Sequence, residues 1–246
     1  MCNYRRRDIW KGILVVAIIL AGGFGTRLQS VVKDVPKPMA DINGKPFLEY
    51  LLEYLLQFNI TKVVLSVGYK QEIIKNYFKN NYNGIDIKYS CEDEPLGTGG
   101  AIKKALRLLD TNDSKVLILN GDTFFKTDIS KLEKSNSIAE ADITLSLKQM
   151  DNFDRYGAVE IEKNIIKSFE EKRFYKRAYI NCGVYVINKS IFDKITTSYK
   201  FSFEEFLEKS LSDLKVSSFV SNDSYFIDIG IPSDYEKAKI NFKELF

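Results

Sequence analysis

Ile13-Leu14-Val15-Val16-Ala17-Ile18-Ile19-Leu20 runs without a polar residue into Ala21-Gly22-Gly23-Phe24-Gly25-Thr26-Arg27-Leu28, and this junction decides the fold. A near-continuous apolar run of this kind is what a strand buried on both faces requires. A buried strand that breaks into a glycine-rich turn is how an α/β protein brings bare backbone N–H groups up to a phosphate chain. The turn also carries a cation, Arg27, and Lys37 follows ten residues on, between Pro36 and Pro38. A dinucleotide fingerprint would want glycine near Arg27–Leu28, so that helix and strand pack closely. Arginine there points instead to a loop that grips a highly charged phosphate group.

Outward from that junction the first half alternates strand and helix. Pro46 opens a helix in which Phe47/Leu48, Leu51/Leu52 and Leu55/Leu56 recur every four residues. Strands are expected at 62–67, 85–89 and 116–119, helices at 70–80 and 101–109, and a loop rich in acid and glycine at 92–100. This rhythm implies an α/β fold: a Rossmann-like, mostly parallel sheet flanked by helices. After about residue 140 short strands dominate (142–147, 158–161, 164–169, 179–187). Helices near 203–211 and 232–244 then close the chain around a strand at 225–229. That second half reads as an antiparallel extension of the sheet. The expectation is a single domain over 1–246, with an N-terminal arm at 1–12, a first half at 13–140 and a second half at 141–246.

Composition narrows the chemistry. The chain has 246 residues, 45% apolar and 28% charged, an ordinary globular balance. Thirty-six basic against 33 acidic residues leave a net charge of +3, too little for a polycationic nucleic-acid binder. The absence of histidine excludes a Ser-His-Asp triad, a Cys-His pair and any histidine-ligated metal. Cys2, Cys91 and Cys182 are odd in number and widely spaced, which suits a reducing cytoplasm. Arg5-Arg6-Arg7 before Ile13–Ala21 mimics a signal peptide, but the apolar run is too short to span a bilayer. Cleavage at its end would also destroy the phosphate loop, so neither membrane nor nucleic acid is an expected partner.

Further blocks carry chemistry. Leu119-Asn120-Gly121-Asp122 puts a carboxylate at the C-terminal end of an expected parallel strand, where open α/β sheets bind ligands. Asp228-Ile229-Gly230-Ile231-Pro232 puts another at a turn after a strand. Taken singly, each aspartate reads as a cap or turn residue. Glu94-Pro95-Leu96-Gly97-Thr98-Gly99-Gly100-Ala101 is poor enough in side chains for a flat base to approach the backbone. On the other side stand Arg155-Tyr156-Gly157, Phe169-Glu170-Glu171-Lys172 and Asn181-Cys182-Gly183-Val184-Tyr185. Cys182 reads as a small buried apolar residue.

From Val16 to about Ala238 these blocks, in this order, resemble the sugar-nucleotidyltransferases, which join a nucleoside triphosphate and a sugar 1-phosphate into an NDP-sugar. The resemblance implies that Leu20, Ala21, Gly22, Gly23, Gly25 and Thr26 wrap the nucleotide, with Glu94, Gly97, Thr98, Gly99 and Gly121. Arg27 would act on the leaving pyrophosphate and Lys37 on the α-phosphate, catalytic together with Asp122. Asp122 and Asp228 would hold Mg2+. Tyr156, Gly157, Glu171, Lys172 and Asn181 would hold the sugar phosphate, making 13–140 the nucleotide-binding half and 141–246 the sugar-phosphate-binding half, an extension that carries the acceptor pocket. Where thymidylyltransferases carry a base-reading glutamine near residue 100, Gly99 and Gly100 would leave room for a purine. The form then resembles guanylyltransferases, and most of all those acting on D-glycero-α-D-manno-heptose 1-phosphate for surface polysaccharides. GTP and a sugar 1-phosphate are therefore the expected small-molecule partners, and a homodimer is compatible. Two alternatives stay open: a thymidylyl- or uridylyltransferase on a hexose 1-phosphate, and an inactive sugar-nucleotide sensor. The sensor could have lost Arg27, Lys37, Asp122 or Asp228, and the chain keeps all four.

Overall fold

The computed structural model describes residues 16–23, 25–28, 30–110 and 112–246. The expected arm at 1–12, the start of the first strand at 13–15 and Cys2 lie outside the described residues. The first half runs through β1 (Val16–Leu20), β2 (Asp41–Ile42), β3 (Lys45–Pro46), α1 (Phe47–Leu56) and β4 (Lys62–Val67). It continues through α2 (Gln71–Phe78), β5 (Asn81–Tyr82), β6 (Ile85–Cys91), α3 (Gly97–Leu106) and β7 (Lys115–Asn120). The second half comprises β8 (Thr123–Phe125), α4 (Ile129–Ala139), β9 (Ile143–Phe153), β10 (Ala158–Glu162) and β11 (Ile165–Phe169). After them come β12 (Tyr175–Asn188), α5 (Phe203–Lys209), β13 (Val216–Val220), β14 (Phe226–Asp228) and α6 (Pro232–Leu245).

One sheet crosses the molecule in the order β10-β11-β13-β9-β12-β7-β1-β4-β6-β5. Its first-half centre, β7-β1-β4-β6, is parallel throughout. Apolar residues of β1 feed both faces. Ala17 and Ile19 join the core under α1 and α6, while Val16 and Ile18 join the core under α3 and α5. β12 then continues the sheet antiparallel to β7, with β9 antiparallel to β12. The expected parallel half and antiparallel extension thus form one mixed sheet, in which β13 enters parallel to β9.

Several elements depart from expectation for identifiable reasons. α4 has a weak apolar period. It is started by Asp128, whose Oδ1 accepts the Lys131 N–H at 3.0 Å, and held by buried Leu132. β13 hides behind two buried serines, one of which shares a 2.7 Å hydrogen bond between its Ser217 hydroxyl and that of Thr144 on β9. α3 begins at Gly97, four residues before the expected start. Glycines are poor helix formers, but the Phe201 carbonyl accepts the N–H groups of Gly99 (3.0 Å) and Gly100 (3.3 Å), satisfying donors a helix start leaves open.

Candidate active site

The glycine loop leaves β1 at its C-terminal end and turns beside the ends of β4 and β7, above a cleft of about 400 Å³. Leu20, Gly22, Gly23, Gly25 and Arg27 line it, with Lys37, Pro95, Gly97 and Thr98 around the rim. Gly25 has φ +60°, and a Cβ there would stand 2.9 Å from the Lys37 Cβ, so the loop can lie directly against the lysine stem. Lys37 starts a short 3-10 turn closed by the Ala40 N–H to its carbonyl. Ala21 and Gly121 sit beneath the cleft floor. Ala21 is buried with its N–H on the Ser66 carbonyl, and the Gly121 N–H is bonded to the Leu20 carbonyl.

Asp122 and Asp228 lie over a hundred residues apart and are joined by a two-stranded ribbon. β8 pairs antiparallel with β14, which sets Asp228 opposite Thr123, the neighbour of Asp122. The Ile229 N–H then bonds to the Asp122 carbonyl at 3.0 Å. Lys37 Nζ enters between the two side chains, donating to Asp122 Oδ2 at 2.6 Å and standing 3.5 Å from Asp228 Oδ1. The Gly230 N–H donates to the same Asp228 oxygen at 2.7 Å. The lysine side chain is only 12% exposed, so its charge is poorly screened by solvent. The two carboxylates already embrace a cation, and an all-oxygen pair is the donor type Mg2+ takes. Among the described residues no cluster of three or more acids, cysteines or histidines could hold a metal unaided. Phosphate and water would have to complete its shell.

At the far end of the cleft the structure separates two acids. Glu94 is exposed and faces a neighbouring hollow with Tyr69 and Gln71. Glu92 borders that hollow and also lines the cleft. Its carboxylate is steadied on both oxygens, by the Ser66 hydroxyl at 3.0 Å and the Leu96 N–H at 3.1 Å. The expectation that Gly99 and Gly100 open space for a base is corrected here. A Cβ on Gly99 would meet the Phe201 ring at 2.2 Å, and one on Gly100 the Tyr199 carbonyl at 2.8 Å. These glycines admit the chain's own 199–201 segment, and their N–H groups are committed to it. Thr98 is likewise engaged, its hydroxyl accepting from the Phe203 N–H at 2.8 Å and donating to Glu204 at 3.0 Å.

The residues expected around the acceptor are spread more loosely. Tyr156 is half-buried against Phe226, edge to face at 5.6 Å, and burial, then the nearby Asp228 charge, pushes its hydroxyl up to about 12. Gly157 faces the Glu170 carbonyl, where a Cβ would stand 2.5 Å away; the close neighbour is backbone of this chain. The Glu171 and Lys172 side chains are exposed, between β11 and β12. Asn181 ties down an irregularity in β12, accepting the Gly183 N–H at 3.0 Å and donating to the Tyr185 hydroxyl at 2.8 Å. Cys182 is fully buried, and desolvation pushes its thiol far above the ordinary range, which makes it inert. Sequence reasoning missed Glu92, Asn120 and Gly230 as cleft residues. Glu92 was findable, as the first residue beyond a strand end on the ligand side of the sheet. Asn120 and Gly230 sit inside motifs already singled out.

A family model described as nucleotidyl transferase matches residues 16–244. The D-glycero-alpha-D-manno-heptose 1-phosphate guanylyltransferase of Campylobacter jejuni subsp. jejuni serotype O:2 is 53% identical over 226 residues, spanning 92% of this chain and 99% of that protein. The protein of the same name from Aneurinibacillus thermoaerophilus is 52% identical over 224 residues, spanning 91% of this chain and 96% of that one. The crystal structure of HddC from Yersinia pseudotuberculosis complexed with GMP-PN superposes with a TM-score of 0.81 at 41% identity, covering 93% of this chain and 99% of that chain.

Proposed function

The chain belongs to the nucleotidyl transferase family, and from that premise we propose that it is a guanylyltransferase. It makes GDP-D-glycero-α-D-manno-heptose and pyrophosphate from GTP and the heptose 1-phosphate. The observation that carries phosphoryl transfer is the Lys37–Asp122–Asp228 cluster at the mouth of the glycine loop. The choice of guanine and heptose rests on relatives of that name at 52% and 53% identity.

An oxygen of the sugar phosphate forms the new bond to the α-phosphorus, the α–β bridging P–O bond breaks, and pyrophosphate leaves. No protein nucleophile or base is needed, because the attacking phosphate is already ionised at neutral pH. The loop of Gly22, Gly23 and Gly25 turns backbone toward the triphosphate, and Arg27 takes the charge that grows on the departing pyrophosphate. Lys37 neutralises the equatorial oxygens of the α-phosphate. Mg2+ held by Asp122 and Asp228 would supply further positive charge to the triphosphate. Residues 13–140 serve the nucleotide and 141–246 the acceptor, where Lys172 pairs with the sugar phosphate and Glu171 with hydroxyls. Glu92 is our candidate for reading guanine. A carboxylate accepts from two adjacent donors, and guanine offers N1–H beside its amino group, whereas uracil offers one N–H between two carbonyls. Among the described residues no helix is long and apolar enough to cross a membrane, and the reading places the enzyme in the cytoplasm, as a supplier of activated sugar for surface polysaccharide.

Pyrophosphate release from four NTPs against heptose, mannose and glucose 1-phosphates tests this. GTP should be preferred over UTP and dTTP by at least about a hundredfold in kcat/KM, the cost of leaving a polar base site unpaired. Heptose 1-phosphate should outperform mannose 1-phosphate. A preference for dTTP with glucose 1-phosphate overturns the guanylyl-heptose assignment.

A further inference from the structure

Arg155 stands in the turn between β9 and β10, immediately before Tyr156 and Gly157. None of the ligand contacts proposed above uses it. Its guanidinium forks between two carboxylates of the C-terminal segment. Nη1 donates to Asp234 Oδ2 in the first turn of α6, and Nη2 lies 3.7 Å from Asp228 Oδ2. Exposures of 31% for Arg155, 22% for Asp228 and 13% for Asp234 place the group where solvent screens it only partly. The oxygens of Asp228 are thereby divided. Oδ1 accepts the Gly230 N–H and faces Lys37, and Oδ2 faces Arg155. The same turn also sets the Tyr156 ring on Phe226 of β14, two residues before Asp228.

Resting on the nucleotidyl-transfer reading, we propose that Arg155 is a positioning residue that orients Asp228, so that this carboxylate and Asp122 present a preformed oxygen pair to the cation arriving with the nucleotide. The Gly230 N–H and Lys37 hold one oxygen of Asp228, Arg155 faces the other, and a planar guanidinium can hold two carboxylates at once. A lysine at 155 would replace the planar fork with a single point charge on a flexible stem. The coupling also gives the acceptor turn a mechanical hold on the metal-binding strand end. The fold does not depend on it, because β14 is already fixed by its ladder with β8.

Mn2+ binding to the protein with GTP and no acceptor, followed by electron paramagnetic resonance, tests the role. R155M should weaken Mn2+ about tenfold to a hundredfold, the usual effect of removing an outer partner of a metal ligand. GTP binding in EDTA should be unchanged, and R155K should fall between R155M and the wild type. Lower thermal stability with wild-type Mn2+ affinity would make Arg155 merely structural and overturn the proposal. If R155M fails to fold, wild-type Mn2+ affinity in R155K overturns it equally. Should the wild-type protein bind Mn2+ no better with GTP than without, the underlying reading falls and this inference with it. GTP-dependent Mn2+ binding that R155M leaves intact removes only the role of Arg155.

Discussion

Lys37 and Lys172 are assigned to the two different substrates, and their surroundings differ in kind. Lys37 is 12% exposed, backed by Gly25 and held between Asp122 and Asp228. Lys172 and its neighbour Glu171 are exposed, and their side chains make no hydrogen bond or ion pair among the described residues. The first arrangement is rigid before substrate arrives: the lysine's charge is aimed, and little has to reorganise as charge develops on phosphorus. The second leaves the acceptor to order its own contacts, at a cost in side-chain entropy paid on binding. A preorganised group should act on the rate, and a loosely held one on affinity.

The largest effects should come from the rigid arrangement. Asp122→Asn and Asp228→Asn remove charge without volume and should each lower kcat by at least about a hundredfold with little change in melting temperature. Lys37→Met should lower kcat and kcat/KM together by a similar factor, measured by pyrophosphate release. A rise in KM for GTP alone would make Lys37 a binding group and erase the contrast with Lys172. Near-normal turnover of either aspartate variant at saturating Mg2+ would remove the metal assignment.

For the loose arrangement the effect should be smaller and of another type. Lys172→Ala should raise KM for sugar 1-phosphate about tenfold to a hundredfold, the loss of one charge-assisted hydrogen bond to phosphate. GTP binding and thermal stability should stay put, because the side chain contributes nothing to the fold. Equal weakening of both ligands would show that Lys172 belongs to neither substrate in particular.

The smallest effect on catalysis, with the clearest effect on stability, should come from Gly99. Gly99→Ala forces a Cβ into the Phe201 ring and should cost about 1–3 kcal/mol by overpacking. It should lower the melting temperature and leave the preference for GTP over UTP intact. Gly23→Ala is the counterpart, since a Cβ there meets nothing within 4 Å, and its melting temperature should match the wild type. A changed base preference in Gly99→Ala would restore the view that this glycine opens the base site.

What was legible in the sequence is what local physics enforces. The apolar run into Ala21-Gly22-Gly23 specifies a buried strand that breaks into a glycine-rich turn. Phe47/Leu48 to Leu55/Leu56 specifies an amphipathic helix, and the absence of histidine removes whole classes of chemistry. Periodicity and glycine act over a few residues, so they survive without tertiary knowledge. The start of α3, the serine-bearing β13 and the purpose of Gly99 were not legible, because each depends on a distant partner: Phe201, Thr144 and Phe201 again. The same holds inside the site. Asp122 and Asp228 could be named from their motifs, but only the β8–β14 ladder brings them onto one lysine, and only the β9–β10 turn puts Arg155 behind Asp228. Charge-to-charge geometry across a hundred residues is set by strand register and packing, and no local pattern encodes it.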